Sequence, residues 1–176
     1  GLLRQSLLAN TPVGEGQAYV SITNTAVDGW RQNSSGSQTL GTIGLILRPA
    51  PRTNVNVFVT GATNEFQIPG PLTREQWIAD PQQAQGDSTI YDPTFVERDE
   101  RRDNDLVRIG TTVDHSFDIE NGISATAFVQ SKKLARSERN TWRDFNRYHF
   151  GGNAIYRNTQ LLSLETQNKV LIGGDI

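Results

Sequence analysis

The amino-acid sequence predicts an all-β protein, an antiparallel up-and-down meander of about eight long strands. Three observations lead to this fold class. Apolar and polar residues alternate along most of the chain, helical periodicity is nearly absent, and short turns alternate with long polar connections. The 176 residues correspond to one domain of ordinary size.

The clearest strand is predicted over Leu106–Phe117, where Val107 and Ile109 share an apolar face and Arg108 and Asp114 share a polar one. The other alternating runs, in chain order, are Leu2–Leu8, Gln17–Asn24, Gln38–Arg48, Val55–Phe66, Ile123–Lys132, Asn146–Arg157 and Lys169–Ile176. Many of them approach the roughly 9–11 residues of a tilted membrane-spanning strand. Ordinary globular strands are shorter, about five or six residues.

The connections between these runs alternate in length. The short ones are Asn10–Gly16, Pro49–Asn54, Asp118–Gly122 and Asn158–Asn168, and the long ones are Thr25–Ser37, Gln67–Asp105 and Ala135–Phe145. Outer-membrane barrels have this asymmetry, with short periplasmic turns and long outer loops. A soluble lipocalin-like barrel also alternates, but a long excursion such as 67–105 is rare in so small a domain. The pattern favours part of a larger transmembrane β-barrel.

A short helix is predicted inside the longest of these connections. Thr73 followed three residues later by Gln76 matches a capping box, and Trp77 and Ile78 supply a small apolar face. Asp80-Pro81 is expected to end the helix after about two turns.

Composition excludes several classes of protein. Lys and Arg (17) nearly balance Asp and Glu (19), so no nucleic-acid-binding surface is expected. The absence of Cys excludes disulfides and thiolate zinc sites, and no apolar stretch approaches the roughly 20 residues of a spanning helix. The start at Gly1 and the lack of Met indicate a fragment or a processed product.

The sequence contains no recognisable catalytic or metal-binding set. His115 and His149 fall in different predicted strands, without the spacing of metal ligands. Ser116 follows His115 directly, so the two side chains are expected on opposite faces of a strand. We therefore expect no enzyme activity, no cofactor and no metal site.

Four segments carry a likeness to a known family. Phe66–Ala84 (FQIPGPLTREQWIADPQQA) and Thr25–Arg31 (TAVDGWR) look like outer loops, while Leu2–Leu8 and Lys169–Ile176 look like barrel strands. Taken in their order along the chain, these segments resemble TonB-dependent outer-membrane receptors, most of all the branch of ferric-citrate and related siderophore receptors. The likeness spans essentially the whole chain.

The resemblance implies a location in the outer membrane of Gram-negative bacteria and a barrel of about 22 strands with a plug in its lumen. It implies uptake of a ferric siderophore or similar chelate, captured by outer loops and driven by the TonB system. This chain has only about eight of the strands and lacks the plug and the TonB box, so the TonB system would act on the full-length protein only.

Ligand-binding candidates lie in three places in the expected outer loops. The first is Arg98, Arg101 and Arg102, whose guanidinium groups could grip carboxylate or phosphate. The acid-rich run Glu97–Asp105 leaves an alternative open, a solvated loop that pairs its charges locally or touches lipopolysaccharide.

The second place is Arg139, Trp142 and Arg143, inside a basic segment. Lys132, Lys133, Arg136 and Arg147 add to its positive charge, and only Glu138 and Asp144 oppose it. Such a loop could attract an anionic ferric chelate. The same residues could instead bind lipid phosphates or form an interfacial aromatic belt.

The third place is Trp30 and Arg31, an aromatic–guanidinium pair that suits a siderophore or an interfacial anchor. The sequence also leaves open a function of another class, that of a self-contained small β-barrel binding module, soluble or membrane-embedded. Such a module would have one apolar interior instead of a lipid-facing band.

Overall fold

A computed structural model of the protein describes residues 1–138, 141–161 and 167–176. These residues form one antiparallel sheet of eight strands whose order in space follows the chain. The strands are β1 (Leu2–Val13), β2 (Gly16–Val27), β3 (Gly36–Ala50), β4 (Thr53–Gln67), β5 (Arg101–Ser116), β6 (Asn121–Glu138), β7 (Thr141–Leu161) and β8 (Gln167–Asp175). The helix α1 (Arg74–Ala79) lies between β4 and β5. The predicted fold class is confirmed.

The strands extend further than the sequence predicts, and most of the predicted loop Ala135–Phe145 lies in β6 and β7. β6 continues to Glu138 and β7 begins at Thr141, with Ser137 directly opposite Trp142. Strand β5 likewise begins at Arg101, inside the predicted loop 67–105. The backbone ladder needs no apolar side chains, so charged residues can continue a strand pair that projects into water on both faces.

The helix begins as the sequence predicts. Gln76 donates its main-chain N–H to Thr73 Oγ1 at 3.2 Å, and Gln76 Oε1 accepts from the Thr73 N–H at 2.9 Å. Asp80 caps the other end. None of the described residues forms a helix long and apolar enough to cross a membrane.

The two faces of the sheet differ in polarity. Large apolar side chains project from one face, where Val107 is 51% and Ile109 is 50% exposed. Further exposed residues on this apolar face are Ile22, Ile43, Val57, Val59, Val129, Tyr148 and Phe150. A continuous apolar band of this size is typical of a surface that contacts lipid or another apolar phase.

The opposite face is polar and is linked by side-chain hydrogen bonds between strands. The hydroxyl groups of Thr112 and Thr126 lie 3.1 Å apart, and the Tyr19 hydroxyl donates to Asn56 Oδ1 at 3.3 Å. Among the described residues, β1 and β8 do not pair. The sheet is therefore open and carries its apolar band on an exposed face, which differs from the closed small barrel with one apolar interior.

Aromatic and glycine residues alternate across six strands at one level of the polar face. We call this set the aromatic–glycine row: Tyr19, Gly44, Phe58, Gly110, Phe128 and Gly151. Each ring lies against the glycine of the next strand, because a Cβ on Gly44 would come within 2.1 Å of Tyr19 Cζ and one on Gly151 within 3.0 Å of Phe128 Cζ. The rings cover backbone that glycine leaves bare, which stabilises glycine in a sheet.

Candidate functional site

Both long connections leave the sheet at the same end and pack on each other. We call residues 28–35 and 68–100 together the loop cap. Gln32 donates its main-chain N–H to Gln82 O at 2.8 Å, and Gln67 donates to Ser35 O at 2.9 Å. These bonds make the two connections one structural unit above the sheet.

Gln85 lies at the centre of the loop cap and connects its parts by hydrogen bonds. It is fully buried, and its main-chain N–H donates to Pro69 O at 2.7 Å. Its side chain accepts from the Phe95 N–H at 2.9 Å and donates to Asp87 O at 2.6 Å. A buried amide with these partners holds three separate stretches of the connection together.

Arg31 crosslinks the two connections through its guanidinium group. Its Nη1 donates to Gly70 O at 2.9 Å, while Nε and Nη2 donate to Gln83 O at 3.0 and 2.8 Å. Neighbouring Trp30 is 59% exposed, with its ring centroid 6.2 Å from that of Trp77. Arg31 thus lies inside the loop cap, whereas Trp30 lies on its surface.

Arg98 and Arg101 are surrounded by carboxylates. Arg98, whose side chain is 10% exposed, pairs with Glu100 at 3.1 Å. Arg101 pairs with Asp99 and with Asp103, at 3.2 Å from the latter. The structure therefore places these two guanidinium groups in local ion pairs within or beside the loop cap.

Two carboxylates of the loop cap are held in their ionised form by hydrogen bonds. The main-chain N–H of Thr94, together with its hydroxyl, donates to Glu97 Oε2 and lowers the pKa of that carboxyl below its ordinary value. The hydroxyl and N–H of Thr89 lower the pKa of Asp87 in the same way.

Three arginines stand side by side on the polar face at the loop-cap end of the sheet. We call Arg102, Arg136 and Arg143 the arginine row, because Arg102 on β5 lies directly opposite Arg136 on β6, which lies directly opposite Arg143 on β7. The guanidinium carbon of Arg102 lies 5.8 Å from the Phe66 ring centroid, and that of Arg136 lies 5.4 Å from the Phe145 centroid.

Cation–π contacts of this kind position a guanidinium group and offset part of the repulsion between neighbours. Like charges directly opposite one another nevertheless destabilise a sheet. Three guanidinium groups aligned on one face can also bind a multivalent anion at several points. The arginine row is therefore the strongest candidate for an anion-binding site.

The sequence-based candidates are partly brought together. Arg102 and Arg143 meet in the arginine row, whereas Arg31, Arg98 and Arg101 lie in or beside the loop cap. Trp142 lies in β7, and Arg139 falls outside the described residues. Arg136, which the sequence identifies only as part of the basic segment, lies between the two outer arginines of the row. Only the strand register reveals this role.

In the part of the chain that the structure describes, no group of three or more His, Asp or Glu side chains is placed to hold a metal ion. His115 Nδ1 lies 2.8 Å from Thr53 Oγ1, and its ring packs against Phe117 with centroids 4.9 Å apart. These contacts give His115 a structural environment at the short-turn end of the sheet.

The two-faced sheet, open at both edges and capped by loops at one end, defines the chain as a segment of β-barrel wall. It is similar to the crystal structure of the ferric citrate transporter FecA in the unliganded form, with a TM-score of 0.79 and 13% sequence identity. The match covers 98% of this chain and 25% of that transporter, so the chain spans about a quarter of its length. No protein-family model and no curated protein matches the sequence.

Proposed function

We propose that the chain forms part of the barrel wall and outer loops of a TonB-dependent receptor, which takes up an anionic metal chelate across a Gram-negative outer membrane. The observation that carries this proposal is the arginine row, three aligned cations on the polar face beside the loop cap. The apolar face would contact lipid, and the polar face would line the barrel interior. The similarity to a ferric citrate transporter supports a transport role of this type.

The chemistry of the row suits a ligand with several carboxylates, such as ferric citrate or a carboxylate siderophore. Each guanidinium group offers planar paired donors that match a carboxylate, and three in a line can hold a multivalent anion at several points. Phe66 and Phe145 hold two of these guanidinium groups in position through cation–π contacts. The chelate is the cargo of this protein.

The loop cap has a supporting role in this proposal. It lies at the same end as the row, where its Trp30 and Trp77 rings can contact the organic part of a chelate. Lipopolysaccharide would surround the same end from outside, and the TonB system would act through the remainder of the protein. Nucleic acid is not an expected partner, since the net charge is −2.

The proposal is tested by ligand binding to the intact protein in detergent micelles, with ferric citrate as the first probe and carboxylate siderophores next. Replacing Arg136 and Arg143 together with Gln should weaken binding by more than about tenfold, since each charged hydrogen bond contributes roughly 1.5–3 kcal/mol. Arg157→Gln is the matched control, because this arginine lies on the same face of β7 at its opposite end and should change the Kd by less than about twofold.

Two outcomes would contradict the proposal. One is a double variant that binds every probe as well as the unaltered protein does. The other is an unaltered protein that binds no anionic chelate and supports no uptake of radiolabelled iron when produced in a Gram-negative host without its own chelate receptors.

A further inference from the structure

A second group of cations lies deeper on the same polar face. Lys132 on β6 is directly opposite Arg147 on β7, and Arg108 on β5 lies one side-chain row further in. We call these three residues the inner cation group. At about 3.4 Å per residue along a strand, the group lies roughly 14–20 Å inward from the arginine row.

Carboxylates are missing from the polar face in this stretch of β4–β7. Inward from the arginine row, the polar face of β4–β7 carries no acidic residue before Asp114, six residues beyond Arg108. Neither Lys132 nor Arg147 forms an ion pair among the described residues. This separates the inner group from Arg98 and Arg101, whose charges are matched locally.

The two arginines of the inner group are held in position without using all their donors. Arg147 lies 5.5 Å from the Phe145 ring centroid. Arg108 lies 5.0 Å from the Phe128 centroid and donates from Nε and Nη2 to Gln130 Oε1 at 2.9 and 2.6 Å. A guanidinium has five N–H donors, so Arg108 keeps others for a ligand.

The level below the inner group marks the end of the cationic stretch. It is occupied by the aromatic–glycine row, where Gly110 and Gly151 flank Phe128. Because each ring lies against a glycine, this part of the wall is flat and uncharged. Along the face, the arginine row carries three cations and is followed by an uncharged level at Asn104, Leu134 and Phe145. The next two levels carry two cations and one, and the aromatic–glycine row carries none.

We propose that Lys132, Arg147 and Arg108 form a second, inner binding subsite for multivalent carboxylate anions, which receives the ligand from the arginine row. This inference rests on the proposed function, since it places the inner subsite on the inward path of the same chelate. Passage of an ion requires sites that bind firmly enough to admit it and weakly enough to release it. A series of sites with decreasing charge meets this requirement.

The first experiment compares binding and uptake in the intact protein, with ferric citrate as the probe. The unaltered protein should show a tighter and a weaker binding event. Replacing all three residues of the inner group with Gln should remove the weaker event, slow iron uptake by about tenfold and leave the tighter Kd within about twofold. The Arg136→Gln, Arg143→Gln variant should instead weaken the tighter event.

The results separate the two proposals. If the triple variant keeps both binding events and the full uptake rate, the inner subsite is wrong and these cations have a structural role. If the unaltered protein binds no ferric citrate or siderophore at all, the proposed function itself fails. If the triple variant does not fold, a second measurement on single substitutions still tests the inner subsite.

That measurement uses a cysteine footprint, because the chain contains no Cys of its own. Leu106→Cys places a thiol on the polar face directly opposite Lys132, and Val107→Cys places the control thiol on the apolar face. Ferric citrate should protect Cys at position 106 from a negatively charged thiol reagent, with a midpoint that follows the weaker binding event. Equal reactivity at position 106 with and without ferric citrate would overturn the inner subsite.

Discussion

Phe58 on β4 lies across Gly110 on β5, so close that a Cβ added to Gly110 would come within 2.5 Å of Phe58 Cζ. The same relationship joins Tyr19 to Gly44 and Phe128 to Gly151. A register shift of one residue in any of these strand pairs would move the side chains of one strand to the opposite face, so that the ring would no longer lie against a glycine. The aromatic–glycine row therefore specifies the register that aligns the arginine row and the inner cation group.

Gly110→Ala should destabilise the protein by about 1–3 kcal/mol, because the added methyl group forces the Phe58 ring out of its position. Gly61→Ala is the matched control on the neighbouring strand, since its new Cβ would meet nothing closer than Leu106 O at 4.0 Å. Urea unfolding of the intact protein in detergent micelles measures both. Equal stability of the two variants would show that the ring contact has no energetic role.

Double substitution tests the same contact from its other side. In a Phe58→Leu background, Gly110→Ala should cost clearly less than in the unaltered protein, because the obstructing ring is gone. The interaction energy from such a cycle is expected at about 0.5–3 kcal/mol for residues in contact. If the two substitutions change the free energy of unfolding additively, the destabilisation by Gly110→Ala does not come from the Phe58 ring and is assigned to the backbone of β5.

Arg31→Lys should loosen the loop cap although the charge is kept. The guanidinium reaches the carbonyl groups of Gly70 and Gln83 at once, whereas an ammonium group lacks the planar fork that spans two acceptors. We expect faster proteolysis within residues 68–100 at unchanged stability of the sheet. Arg74→Lys, on exposed helix α1, is the control and should leave proteolysis unaltered; equal protection of both variants would contradict the crosslinking role.

The sequence predicts what depends on local pattern, and the structure agrees there. Alternation along Leu106–Phe117 identifies β5 and its faces, and the Thr73–Gln76 spacing identifies the start of α1. The sequence does not predict where the strands end. Charged residues such as Arg101 are typical of loops, yet a strand pair that extends beyond the rest of the sheet tolerates them because its backbone hydrogen bonds do not depend on side-chain polarity.

Contacts between distant residues are the part that the sequence could not provide. Arg102 and Arg136 are 34 positions apart and meet only because the register of β5 and β6 aligns them. That register depends on turn length, on the faces of both strands and on packing such as the aromatic–glycine row. The bonds of Arg31 to carbonyl groups some 40 to 50 positions away depend in the same way on the packing of two connections.

The loop cap should open at low pH through Glu97. Hydrogen bonds from Thr94 lower the pKa of this carboxyl, so its contribution to stability is present above the ordinary Glu value of about 4.3 and is lost as the pH falls through the lower folded value. Amide-exchange protection around residues 94–97, corrected for the intrinsic pH dependence of exchange, should decline below about pH 4. Glu97→Gln should remove this dependence, and a decline of equal size in that variant would assign the opening to another group.

The assignment of the two faces is tested by placing an arginine on each of them. Ile109 lies in the middle of the apolar face, between Val59 and Val129 on the adjacent strands. Ile109→Arg should destabilise the protein by about 2–4 kcal/mol in a membrane, since the charge would face hydrocarbon. Thr112→Arg, three residues along the same strand and on the polar face, should cost less than about 1 kcal/mol because water and polar side chains surround it. Folding titrations in lipid vesicles measure both free energies. Equal costs would contradict the assignment, and a larger cost for Thr112→Arg would reverse it and place the arginine row on the outside of the barrel.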